Sequence, residues 1–153
     1  MDKLEQQRNM ESKSLENCEL KECCTTKALA TDNHLIERNG QQYAGRHYIL
    51  DFWGMDNLTD ANYIESALRD ASSAAKATLL HIHLHEFSGG GITGVALLAE
   101  SHMSIHTWPE HDYAAFDIFM CGQSEAEKAV DILTTAFSPD KYDVKELLRG
   151  QIG

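Results

Sequence analysis

Four apolar runs follow one another between residues 78 and 121, TLLHIHLHEF, ITGVALLA, SHMSIHTW and AAFDIFMC, and their longest links are SGGG and PEHDY. Apolar and polar residues alternate through much of these runs, the period of a strand with one buried face. A parallel crossover needs roughly a dozen or more residues, so links this short force antiparallel neighbours. Around this block, RHYILDFW (46 to 53) and KYDVKELL (141 to 148) read as further strands. The stretch from 60 to 77 sets Ile64, Ala67, Leu68, Ala71 and Ala75 on one helical face, and SEAEKAVDILTTAF (124 to 137) is a second amphipathic helix. The order β-α-β-β-β-β-α-β predicts an α+β fold, a two-layer α/β sandwich whose mainly antiparallel sheet is covered on one face by helices. The other face then needs cover, and a partner subunit is one way to supply it.

Residues 1 to 44 are polar, without a sustained apolar period, and read as a flexible extension with at most a short helix; the folded domain is expected over 45 to 153. The extension holds 8 acids and 6 bases, leaving 16 acids and 7 bases on the domain, which therefore carries most of the net charge of -11. A negative field of this size argues against nucleic acid or an anionic membrane surface as partner, and favours a cationic ligand. No run approaches the roughly 18 apolar residues of a membrane span. The first residues lack an apolar signal core, so a cytoplasmic protein with free thiols is expected. Cys18, Cys23 and Cys24, spaced C-x4-C-C, lack the paired spacing of a zinc knuckle.

Three constellations can carry chemistry. His81, His83 and His85 alternate along one strand and so share a face, which suits either a zinc enzyme assisted by Glu86 or a polar surface stripe. Cys121 with His102 or His106 can be a thiol and its base, or Cys121 can simply end a buried strand. The pair Glu100-Ser101 stands where the second apolar run meets the third. A serine hydroxyl can attack the preceding carbonyl, turning the peptide into an ester, if the backbone is strained and donors stabilise the oxyanion. Removal of the serine α-proton then expels the carboxylate and leaves dehydroalanine, which water converts into a pyruvoyl group and ammonia. An ordinary strand-boundary serine fits the same residues. SGGGITG (88 to 94) lacks the Lys-Ser/Thr of a phosphate loop and reads as a tight turn.

The long stretch ITGVALLAESHMSIHTWPEHDYAAFDIFMCG (92 to 122) resembles the self-processing region of the bacterial and archaeal S-adenosylmethionine decarboxylase proenzymes, with ESH-x-[ST]-[IV]-H-T-[WY]-P-E followed by YAA-x-D-x-[FY]-x-C-G. A weaker similarity extends from Arg46 to about Gly150. The resemblance implies autocatalytic cleavage at Glu100-Ser101 into a β chain (1 to 100) and an α chain (101 to 153) that begins with a pyruvoyl group derived from Ser101. That carbonyl would form the Schiff base with the substrate amine and act as electron sink, with no metal. It further implies that His106 is the processing base, Cys121 the proton donor, and Thr93 the processing hydroxyl where the family usually has Ser. Phe87 matches an aromatic that stacks on adenine and Glu110 the acid that binds the ribose hydroxyls, with Trp108 beside it, so these three are the expected substrate-binding residues. Members of this short type are two-layer sandwiches that form homodimers of αβ protomers, with active sites at or near the interface.

Gly89-Gly90 stands where the family has a bulkier Pro-containing turn, and Asp112 where it usually has Gly. Both lie near the expected substrate site. The leading expectation is decarboxylation of S-adenosylmethionine to the aminopropyl donor of spermidine synthesis; the alternatives are a same-family arginine or ornithine decarboxylase, and the zinc enzyme on His81, His83 and His85.

Overall fold

A computed structural model describes residues 34–152. Strand β1 (Ile36–Arg38) turns into the long β2 (Gln41–Trp53), followed by helix α1 (Ala61–Ala74). Strands β3 (Leu79–Glu86), β4 (Ile92–Leu98), β5 (Ser101–Trp108) and β6 (Tyr113–Met120) form a meander, with a 3-10 turn (Pro109–His111) before β6. Helix α2 (Ala126–Phe137) and strand β7 (Lys141–Ile152) complete the chain. All pairings are antiparallel, in the order β2-β6-β5-β4-β3, with β7 on the other edge of β2. The expected two-layer α+β sandwich is what the chain forms.

Residues 36–44, assigned to the extension for their polarity, belong instead to β1 and the start of β2. They need no apolar period because they are held by strand pairing through an Asn39-Gly40 turn, both residues at positive φ as two-residue hairpins favour. β1 lies on the same edge of β2 as β6, beyond the point where β6 pairing stops at Arg46, since β7 occupies the opposite edge. Residues 1–33, with Cys18, Cys23 and Cys24, lie outside the described residues.

Alternation sorts the sheet into two faces. Leu50, Phe52, Met103, Ile105, Phe116 and Ile118 point to one side and are buried beneath Ile64, Leu68 and Ala71 of α1 and Ala129 and Leu133 of α2. Burying a side chain of this size contributes roughly 1.5–3 kcal/mol, so this layer is what holds the sheet to the helices. Asp60 caps α1, its carboxylate accepting from the Tyr63 N–H at 3.0 Å. The opposite face carries His81, His83 and His85 beside Leu97, Val95 and Thr93, then His102, Ser104, His106 and Trp108 on β5. No helix among the described residues covers it, and Leu97 and Trp108 are 49% and 41% exposed there.

Candidate functional site

The residues singled out from the sequence gather at opposite ends of the β4-β5 hairpin. At one end, Ser101 pairs with Leu98 and Met120; at the other, His106 pairs with Thr93. Five steps along extended strand separate Ser101 from His106, a distance of roughly 17 Å.

The Ser101 end is a turn under strain. Leu98 and Ser101 are partners, so Ala99 and Glu100 alone make the connection. Two-residue hairpins normally place positive φ on their central residues, with Gly, Asn or Asp there. Neither Ala99 nor Glu100 has it; the positive φ falls on Ser101, at 139°. A non-glycine residue held in such a region costs on the order of 1–3 kcal/mol. The Cys121 N–H donates to the Glu100 carbonyl at 3.0 Å, and that carbonyl belongs to the Glu100-Ser101 peptide bond. Thr78 holds the same residue from the other side: its N–H donates to one Glu100 carboxylate oxygen at 2.8 Å and its hydroxyl to the other at 3.2 Å. The Ser101 hydroxyl lies 3.3 Å from Nδ1 of His102, on the open face. Burial pushes the Cys121 thiol above its ordinary pKa; the charge of Glu100 adds to this, and a hydrogen bond from the residue's own backbone partly offsets it.

The His106 end is a cavity of about 420 Å³, lined by Phe87, Gly89, Gly91, Thr93, His106, Trp108 and Glu110 among others. That volume falls in the range of small-molecule sites. Its floor is fixed by Thr107, which is buried: the hydroxyl accepts from the Ile92 N–H at 2.8 Å and donates to the Leu58 carbonyl at 2.9 Å. Thr93 Oγ1 lies 2.7 Å from Nδ1 of His106, so the methyl that distinguishes it from serine does not prevent the contact. Gly90, at φ 86°, supplies the turn that carries Phe87 to the cavity. Asp112 ends the 3-10 turn in the left-handed region, at φ 47°, a conformation that Asp tolerates better than most residues, which explains how it stands at a usual glycine position.

Sequence reasoning missed two groups. One is Thr78, a residue of ordinary type whose importance depends on the β3-β4 pairing. The other is an aromatic row in which Tyr113 sits 5.5 Å from Trp53 and 5.3 Å from Trp108, ring centre to ring centre. Its hydroxyl donates to Asp51 at 2.5 Å, and burial first, then that bond and the Asp51 charge, push its pKa up to about 12.

The zinc alternative fails on geometry. His81 and His83 stack with ring centres 6.4 Å apart, and His85 packs edge-to-face against Phe87 at 4.9 Å. Among the described residues no three His, Cys, Asp or Glu side chains are placed to hold a metal ion. No helix among them is long and apolar enough to cross a membrane.

Comparison with known proteins places this geometry in a context. A family model described as S-adenosylmethionine decarboxylase matches residues 46–150. The S-adenosylmethionine decarboxylase proenzyme of Methanococcus maripaludis is 47% identical over 111 residues, covering 71% of this chain and 91% of the relative. That of Thermomicrobium roseum is 42% identical over 110 residues, covering 71% and 95%. Among solved structures, the adenosylmethionine decarboxylase of Aquifex aeolicus superposes with a TM-score of 0.65 at 36% identity, covering 71% of this chain and 92% of its own.

Proposed function

The chain belongs to the S-adenosylmethionine decarboxylase family, and from that premise we propose that it cleaves itself at Glu100-Ser101 and then decarboxylates S-adenosylmethionine to the aminopropyl donor for spermidine synthesis. It is a decarboxylase, hence a carboxy-lyase. The observation that carries the self-cleavage is the scissile turn itself. Ser101 is held at a positive φ, and the carbonyl it would attack already accepts from the Cys121 N–H at 3.0 Å. That donor lies where the oxyanion develops, so it stabilises the tetrahedral transition state more than the planar carbonyl. Release of the turn strain favours the ester further.

The residues fit a pyruvoyl group at position 101, because the thiol of Cys121 belongs to the residue whose N–H already holds the adjoining carbonyl. Once formed, the pyruvoyl carbonyl supplies the electron sink for loss of the substrate carboxylate. Cys121, kept protonated by burial, is the acid that returns a proton to the substrate α-carbon. Phe87 and Trp108 offer aromatic faces to the adenine, and Glu110 offers a carboxylate to the ribose hydroxyls. Such a cavity suits a nucleoside, and the named relatives favour S-adenosylmethionine over arginine or ornithine.

We further propose that the functional unit is a homodimer of αβ protomers joined through the open sheet face. A strand keeps Ser101 and His106 roughly 17 Å apart within one chain, whereas a two-fold axis across this face can set the Ser101 end of one protomer against the His106 end of its partner. The exposed Val95, Leu97, Trp108 and Leu147 support burial of this surface. In that arrangement Nδ1–H of His106 donates to Thr93, which leaves Nε2 free to take the Ser101 α-proton.

The test is the intact mass of purified protein under denaturing, reducing conditions, with decarboxylation measured on S-adenosylmethionine, arginine and ornithine. Two chains, ending at Glu100 and beginning at residue 101, the second lighter than a serine chain by one ammonia in exchange for the new carbonyl, are expected. A single uncut chain after prolonged incubation refutes the proposal.

A further inference from the structure

The contacts of Thr78 have no part in the cleavage chemistry described so far. Thr78 immediately precedes β3, at the edge of the sheet, yet it makes three bonds to the two turn residues beside the scissile peptide. Its carbonyl accepts from the Ala99 N–H at 2.9 Å, its own N–H donates to Glu100 Oε2 at 2.8 Å, and its hydroxyl donates to Glu100 Oε1 at 3.2 Å. With the Cys121 N–H on the Glu100 carbonyl at 3.0 Å, both the side chain and the main chain of Glu100 are fixed.

A two-residue connection without Gly, Asn or Asp at its centre would relax by rotating its central peptide planes. Such a rotation moves the Glu100 carbonyl away from Cys121 and lets φ of Ser101 return to a negative value. Holding the carboxylate at two points opposes that rotation, because Glu100 cannot turn without breaking charge-assisted bonds. On the reading that the chain cleaves itself, we infer that Thr78 is a positioning residue for self-cleavage, acting through the Glu100 carboxylate to keep the scissile carbonyl aligned for Ser101. The requirement for Glu at position 100 is then one of length and acceptor geometry. Asp is one methylene short of Thr78. Gln keeps one acceptor for the Thr78 N–H and can donate its amide to the Thr78 hydroxyl oxygen.

The full chain is synthesised in a cell-free translation reaction, synthesis is stopped, and the uncut fraction is followed by gel and intact mass. Thr78→Val removes the hydroxyl at nearly constant volume and slows cleavage roughly 3- to 10-fold, the range of one hydrogen bond, here at an exposed site. Thr78→Ser restores most of the rate, which loss of packing would not allow. Glu100→Ala slows cleavage at least as much, Glu100→Gln cleaves several-fold faster than Glu100→Ala, and adding Thr78→Val to Glu100→Ala has no further effect. The Glu100 pair reads the same clamp without altering position 78, should Thr78→Val fold poorly. Wild-type cleavage with an unchanged rate in Thr78→Val, or with Glu100→Gln as slow as Glu100→Ala, overturns the positioning role and leaves self-cleavage standing. An uncut wild type overturns the self-cleavage reading and the role of Thr78 with it.

Discussion

If Ser101 meets His106 only across a subunit interface, two inactive variants repair each other when they share a dimer. Ser101→Ala lacks the nucleophile and His106→Ala lacks the base. Each homodimer is blocked, since removal of a general base costs roughly 10²- to 10⁴-fold. In a heterodimer, the Ser101 of the His106→Ala chain faces the intact His106 of the Ser101→Ala chain, so one of the two composite sites is whole. With equal expression and random pairing, about half of the chains sit in heterodimers, and one chain in each can cut, so cleavage reaches about a quarter of all chains. A tag on the His106→Ala chain identifies the cut chain by mass after co-expression. Cleavage near that level, confined to the tagged chain, is the expected result. No cleavage above that of the separate variants refutes the composite site. Efficient cleavage of His106→Ala alone refutes it in another way, and passes the role to His102, whose Nδ1 is already 3.3 Å from the Ser101 hydroxyl.

Cys121→Ala keeps the backbone N–H that binds the Glu100 carbonyl, so it cleaves, but its turnover falls roughly 10²-fold or more with the loss of the acid; unimpaired steady-state turnover removes Cys121 from that role. In the wild type, burial raises the thiol pKa, so the alkaline limb of kcat lies above the free-thiol value of about 8.5, and a limb at or below that value contradicts the assignment. Thr107→Val leaves the Ile92 N–H without its partner in a buried site, at a cost of roughly 1–3 kcal/mol, and chemical denaturation of the uncut chain reads that loss directly. Tyr113, raised to about 12 in the fold from about 10 unfolded, contributes stability that is fully present below pH 10 and is lost as pH rises toward 12, at up to about 1.4 kcal/mol per pH unit. Tyr113→Phe makes the stability curve flatter over that window, and parallel curves for the two proteins contradict the assignment.

Strand alternation made the meander legible, because a half-buried sheet writes its two faces into sequence with a period of two. The same logic hid β1 and the start of β2, whose residues are polar and paired through backbone groups that leave no mark on composition. A local signal was present, since Asn39-Gly40 is the pair a two-residue hairpin prefers. Ala99-Glu100 is the reverse case: a real two-residue turn that carries no turn signal. That silence has a physical meaning, because a turn built from residues that oppose it stores strain, and here the strain falls on Ser101.

The cavity residues were legible as types but not as neighbours, because Phe87, Thr93, His106, Trp108 and Glu110 converge only when β3, β4 and β5 pair. Their separation from Ser101 was open to the same reasoning. A motif compact in sequence becomes an extended object on a strand, and the five steps from Ser101 to His106 span roughly 17 Å with opposite nominal side-chain directions. No rotamer of either residue closes that gap. On the proposed mechanism, chemistry that needs both residues on one serine draws on a second copy of the chain, and the face that carries His106 is bare of helices among the described residues, with Leu97 and Trp108 exposed on it. If that face is the interface, Leu147→Lys, exposed on it but three strands away from His102, slows cleavage through the interface alone, and unchanged cleavage in that variant refutes the shared demand on the surface.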